Sequence, residues 1–105
     1  MAEIVWTEPA LSDLDAIADY IAVRNPTAAA QLVQRVFAQV EQLGQYPESG
    51  SRPPEFSRIR RYRQLIESPC RVFYRYDGHR VLILQVMRAE RLLRLSRLKR
   101  RPRLG

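Results

Sequence analysis

Arg58, Arg60, Arg61, Arg71, Arg75, Arg88 and Arg91 are the side chains of this sequence most able to do chemistry, and what they offer is the holding of anions. Arginine carries a planar fork that stays ionised at neutral pH and matches carboxylates, phosphates and aromatic faces. Residues 51–105 contain fifteen arginines and Lys99 against Glu55, Glu67, Asp77 and Glu90, a net charge of +12. Residues 1–50 set Arg24 and Arg35 against seven carboxylates, a net charge of −5. A merely solvated basic face would normally mix in lysine, so the arginine bias points to an anionic partner for the second half.

Other reactive side chains are scarce. Cys70 is the single cysteine and His79 the single histidine, which excludes an internal disulfide and an ordinary zinc site, so no cofactor is expected. A catalytic thiol at Cys70 would need a nearby base that the sequence does not show, and Cys70 reads as a small buried residue.

The elements that must position the arginines follow from periodicity. A chain of 105 residues with 46% apolar and 28% charged side chains suits one globular domain over residues 1–105. No apolar run is long enough for a signal peptide or a membrane span, so a soluble cytoplasmic protein is expected. Ile4, Val5 and Trp6 predict a short strand, and Thr7-Glu8-Pro9 a helix cap. Leu11, Leu14, Ile17, Ala18 and Ile21 then mark the apolar side of a helix over 8–24, with Asp13, Asp15 and Asp19 mostly on its outer face. Asn25-Pro26 breaks that helix and starts a second over 26–43, whose stripe runs from Ala29 through Leu32, Val36, Phe37 and Val40 to Leu43. Gly44 is expected to close it in the left-handed conformation. So short a connection makes an antiparallel helix hairpin.

Pro47, Gly50, Pro53 and Pro54 make residues 45–57 a loop without regular structure. Strands are predicted over 58–67, 70–76 and 81–87, with Asp77-Gly78 turning the last two into a hairpin. The run Val81 to Leu84, apolar on both faces, reads as a central strand. The fold class is therefore α+β, in the order β-α-α-β-β-β, with the helix hairpin packed on a small antiparallel sheet. Residues 89–105 form a basic C-terminal tail, either an amphipathic helix or an extended arm, in which Leu92, Leu95 and Leu98 favour a packed helix over a free tail. Arg58, Arg60, Arg61 and Arg63 also suit the solvent face of an edge strand, where charge deters aggregation. Arg71, Arg75 and Arg88 are expected to gather in part on one exposed face of the hairpin.

The strings Ile4-Val5-Trp6-Thr7-Glu8-Pro9-Ala10, Tyr20-Ile21, Asn25-Pro26, Tyr46-Pro47-Glu48-Ser49-Gly50, Arg71-Val72-Phe73-Tyr74-Arg75 and Val81 to Arg88 occur in an order that resembles the ParE branch of the RelE/ParE superfamily. These are toxins of type II toxin–antitoxin, or plasmid stabilisation, modules. The resemblance implies a ParD-like antitoxin that wraps over the toxin in a hetero-oligomer, with DNA gyrase as target and DNA itself contacted indirectly. The RelE branch instead cuts mRNA on the ribosome, and a shared fold cannot choose between them.

Metal-free RNA cleavage by 2′-hydroxyl attack needs a proton acceptor, a cation over the phosphate and an acid for the leaving oxygen. By resemblance, Arg71 matches the strand arginine of RelE-like nucleases and Arg88 lies near a second cation. The position after Val86, often histidine in such proteins, is Met87, and the late tyrosine is replaced by Leu92-Leu93-Arg94-Leu95. Arginine titrates too high to accept protons readily at neutral pH. The expectation is a non-enzymatic gyrase inhibitor, with an RNA endonuclease and a plain nucleic-acid-binding module as rivals. Exposed arginines would also suffice for direct DNA binding.

Overall fold

The computed structural model describes residues 1–56 and 58–89. Six elements follow in chain order: β1 (Glu3–Trp6), α1 (Glu8–Ala22), α2 (Pro26–Glu41), β2 (Tyr62–Glu67), β3 (Cys70–Tyr76) and β4 (Arg80–Arg88). Arg91 and the expected C-terminal helix lie outside the described residues.

Both helices begin at side-chain caps. The buried Thr7 Oγ1 accepts from the Ala10 amide at 3.3 Å and donates to the Ile83 carbonyl at 2.8 Å, so one hydroxyl caps α1 and ties it to β4. Asn25 Oδ1 accepts from the Ala28 amide at 3.0 Å, and Pro26 opens α2. The far end of α2 departs from expectation. It runs into a 3₁₀ turn over Gln42–Gly44, and among the described residues only Gly78 has a positive φ. Gly44 is instead held beneath the N-terminus, its carbonyl accepting from the Ala2 amide at 2.7 Å.

The strands order as β1-β4-β3-β2. β3 pairs antiparallel with β2 and β4, but β1 runs parallel to β4, so the sheet is mixed and not antiparallel as the sequence led us to expect. Two helices and a long loop separate β1 from the other strands, and a crossover of that length can bring a strand back parallel. Apolarity sets the order. Val81 to Met87 are all buried, so β4 takes a central place and four-residue β1 an edge.

Both faces of the sheet are covered. Leu14, Leu32, Val36 and Val40 pack with Val72, Tyr74, Ile83 and Val86 on the helix side. On the rear face, Phe73, Leu82, Leu84 and Met87 meet Phe56, Ile59 and Tyr62. This second layer corrects the strand expected over 58–67, because pairing starts only at Tyr62. Phe56 and Ile59 are drawn onto the rear face in a turn closed by the Ile59 amide on the Phe56 carbonyl, 2.9 Å. The 45–57 loop holds one 3₁₀ turn, Pro54–Phe56, and Ser51 exchanges both backbone hydrogen bonds with Gln64, which shields part of the β2 edge.

One irregularity governs where side chains point. Phe73 is paired with Gln85, but Tyr74 with Ile83, so β4 carries an extra residue at this step. The alternation inverts across the bulge: Leu82, Leu84 and Met87 face the rear, whereas Ile83 and Val86 face the helices. Asp13 faces this strand, accepting from the Val86 amide at 3.1 Å, and is not part of the outer acidic face expected from its spacing.

Candidate functional site

Arg71 and Arg75 lie four residues apart on β3 and share the rear face. Arg88 is paired with Cys70 on the helix side, its guanidinium carbon 5.3 Å from the centre of the Tyr20 ring. The three arginines expected to gather in part on one face are thus divided. An unbroken alternation from Leu82 would put Arg88 on the rear; the bulge puts Met87 there instead, directly opposite Arg71.

Arg71 is not an exposed cation, being only 7% accessible. Its Nη1 and Nη2 donate to the two oxygens of Glu55 at 2.8 and 2.7 Å, and its Nε and Nη2 donate to Gln64 Oε1 at 3.0 and 2.9 Å. All three nitrogens are engaged, and the bidentate carboxylate offsets the charge. The guanidinium also lies over the Phe73 ring at 4.8 Å. A shallow pocket lined by Pro54, Glu55, Gln64, Ile66, Arg71 and Ala89 opens on this cluster.

Arg58, Arg60 and Arg61 are exposed in the turn ahead of β2, and so do not line a strand face. Arg61 lies 5.2 Å from the centre of the Tyr62 ring, and Tyr62 is the cross-strand partner of Arg75. The Arg75 Nε is buried with no acceptor. Arg63, the one member of that series on β2, donates to the Gly50 carbonyl at 2.9 Å and pairs with Glu48 at 3.4 Å. Arg91 is outside the described residues.

A second concavity of about 400 Å³ lies between α1 and the end of β4. Asp13, Ile17, Tyr20, Ile21, Val86 and Arg88 line much of it. Gln85 also borders it, 1% exposed, with a buried Oε1 that meets no donor. Tyr20 is 68% exposed at its rim.

Glu55, Gln64, Tyr20 and Asp13 were not singled out by sequence reasoning. A signal existed for Glu55. Carboxylates are scarce after residue 50, and Glu55, Glu67 and Asp77 each pair with an arginine, Arg71, Arg35 and Arg80 respectively. An acid isolated in a proline-rich loop of so basic a half is a candidate partner for a buried cation. Asp13 gave no such signal, because only the bulge exposes the amide that it satisfies.

Residues 4–93 match the family model described as ParE toxin of type II toxin-antitoxin system, parDE. The chain is 42% identical over 88 residues to the candidate toxin Y4kP of Sinorhizobium fredii, covering 82% of this chain and 86% of that one. It is 46% identical over 50 residues to Toxin RelE2 of Caulobacter vibrioides, a match that spans 48% of this chain and 57% of that relative. The fold superposes on a solved structure, titled as the chromosomal ParDE TA system from P. aeruginosa, with a TM-score of 0.72 and 34% identity, over 86% of this chain and 98% of that one. Among the described residues no helix is long and apolar enough to cross a membrane. Sequence and fold together establish that this chain belongs to the ParE toxin family of type II toxin–antitoxin systems, within the RelE/ParE superfamily.

Proposed function

We propose that this chain acts by binding, inhibiting DNA gyrase and so replication, and that a ParD-like antitoxin holds it inactive. The observation that carries the reading is the state of Arg71. The cation that a RelE-like nuclease would set over the scissile phosphate is buried and neutralised by Glu55, and its cross-strand neighbour is the thioether of Met87. A thioether cannot protonate a leaving oxygen. The concavity between α1 and β4 combines apolar walls with the rim cation Arg88, which suits an acidic, partly apolar antitoxin segment.

The test is a supercoiling assay with purified gyrase, relaxed plasmid, ATP and the chain. Dose-dependent inhibition with linear DNA trapped after detergent, relieved by the antitoxin, is expected. Full supercoiling at high protein excess would sink the gyrase reading.

One observation favours an endonuclease as the second reading. Glu55 and Arg71 meet in the rear pocket as a carboxylate and a cation, the pair that could take the 2′-hydroxyl proton and bind the phosphate. That reading predicts cuts in translated messages, seen by primer extension and lost in Glu55→Gln.

A further inference from the structure

We propose that Arg58, Arg60, Arg61 and Arg75 form a contact surface for the phosphate backbone of duplex DNA, distinct from the groove between α1 and β4 and independent of whether gyrase is the target. The structure sorts the arginines from Arg58 to Arg88 into two groups. Arg63, Arg71 and Arg80 are paired with Glu48, Glu55 and Asp77, and Arg88 lies on Tyr20. Arg58, Arg60, Arg61 and Arg75 have no carboxylate partner among the described residues. Three of them fall within four consecutive positions, all exposed. The fourth is one strand away, since Arg75 is directly opposite Tyr62, whose ring Arg61 overlies.

The chemistry of this surface favours phosphate over protein. Ile59 and Tyr62, the apolar members of the segment, pack into the rear-face layer, so the turn presents guanidinium groups without an apolar anchor. Protein interfaces take most of their energy from buried aromatic and aliphatic anchors. A phosphate backbone is held by charge and hydrogen-bond donors alone, with counterion release as the driving term. The Arg75 Nε is a buried donor without an acceptor, a deficit seldom left in proteins, so this arginine is not committed to a hydrogen-bond partner at that nitrogen. Among the described residues no helix or β-ribbon projects from this turn to enter a major groove, so binding is expected to be indifferent to base sequence.

The experiment is fluorescence anisotropy of a labelled 30-base-pair duplex with the full chain, titrated at several salt concentrations. Each phosphate contact contributes about 0.9 to the slope of log affinity against log salt. The R58Q/R60Q/R61Q/R75Q variant should lower the slope by about 3.6, and R58Q/R60Q/R61Q, which leaves the half-buried Arg75 intact, by about 2.7. Cations beyond residue 90 remain, so the slope falls without vanishing. A duplex of scrambled sequence should bind equally well. An unchanged slope in the triple variant, provided its melting temperature matches the parent, overturns the proposal, as does failure of the parent chain to bind DNA. Loss of binding to a polyglutamate peptide with the DNA slope intact would assign the surface to an acidic protein partner instead. Because gyrase is absent throughout, the outcome is separate from that of the supercoiling assay.

Discussion

The Val86 amide donates to the Asp13 carboxylate across 3.1 Å, joining the first helix to the last strand just past the bulge. A β-bulge disrupts the ladder locally, and a nearby amide bonded to a side chain needs that acceptor kept in place. Asp13 therefore supports the geometry that sends Met87 to the rear and Arg88 to Tyr20. Asp13→Ala should lose about 1–3 kcal/mol in urea unfolding, the cost of an unsatisfied buried amide, while Asp13→Asn, which keeps an acceptor, should lose less. Hydrogen exchange at Val86 should quicken in the alanine variant alone.

Glu55 and Arg71 should prove unequal as single deletions and as a pair. Removing the carboxylate alone strands the charge of an arginine whose side chain is 8% accessible, which should cost about 3–5 kcal/mol. Replacing both partners by apolar residues, as in Glu55→Leu with Arg71→Met, should recover most of that loss. Denaturant midpoints of the two single variants and the double variant measure the coupling directly.

Gly50 leaves no room for a side chain. A Cβ there would lie 2.5 Å from the Tyr74 hydroxyl and 2.6 Å from the Gln64 carbonyl, while the Gly50 amide donates to that hydroxyl at 2.9 Å. Gly50→Ala should destabilise by about 1–3 kcal/mol through overpacking, and less so in a Tyr74→Phe background.

Burial pushes the Tyr74 phenol above its ordinary value of 10.0, outweighing the Gly50 amide and the Arg63 charge, which both lower it. A group raised on folding gives its full stabilisation below the unfolded value and loses it as pH rises. The chain should therefore weaken above about pH 10, and Tyr74→Phe should remove that part of the alkaline loss.

Asp77 behaves in the opposite sense. Its Oδ1 accepts from the amides of Arg80 and His79 at 2.7 and 2.9 Å, which holds the carboxyl at about 2 instead of 3.8. A lowered value stabilises the fold above the unfolded pKa, and the contribution fades as pH falls from 3.8 through about 2. The stability gap between the parent and Asp77→Ala should be flat above pH 5 and close across that acid window.

Much of the fold was legible because local chemistry and tertiary need agree. Thr7 and Asn25 cap the helices where their types say they should, the Leu32-Val36-Val40 stripe is core, and Asp77-Gly78 turns the hairpin with Gly78 at φ +95°. The direction of β1 was not legible, since alternation says which face a strand buries and nothing about which way its neighbour runs. The candidate site was read only in part. Arginine types marked an anionic partner, but the sorting of Arg71 onto Glu55 and of Arg88 onto Tyr20 depends on one extra residue in β4, and continuous apolarity around Leu84 hides it.

That extra residue separates position along the chain from position in space. A relative without it, aligned to this chain with no gap, would turn its counterpart of Met87 toward the helices and its counterpart of Arg88 toward the rear pocket. Deleting the extra residue near Leu84 would restore an unbroken alternation while leaving Met87 opposite Arg71 and Arg88 opposite Cys70. In this strand, then, the side on which a residue works is set by where the extra residue lies, and column-by-column comparison of amino acids that ignores it would assign the wrong face.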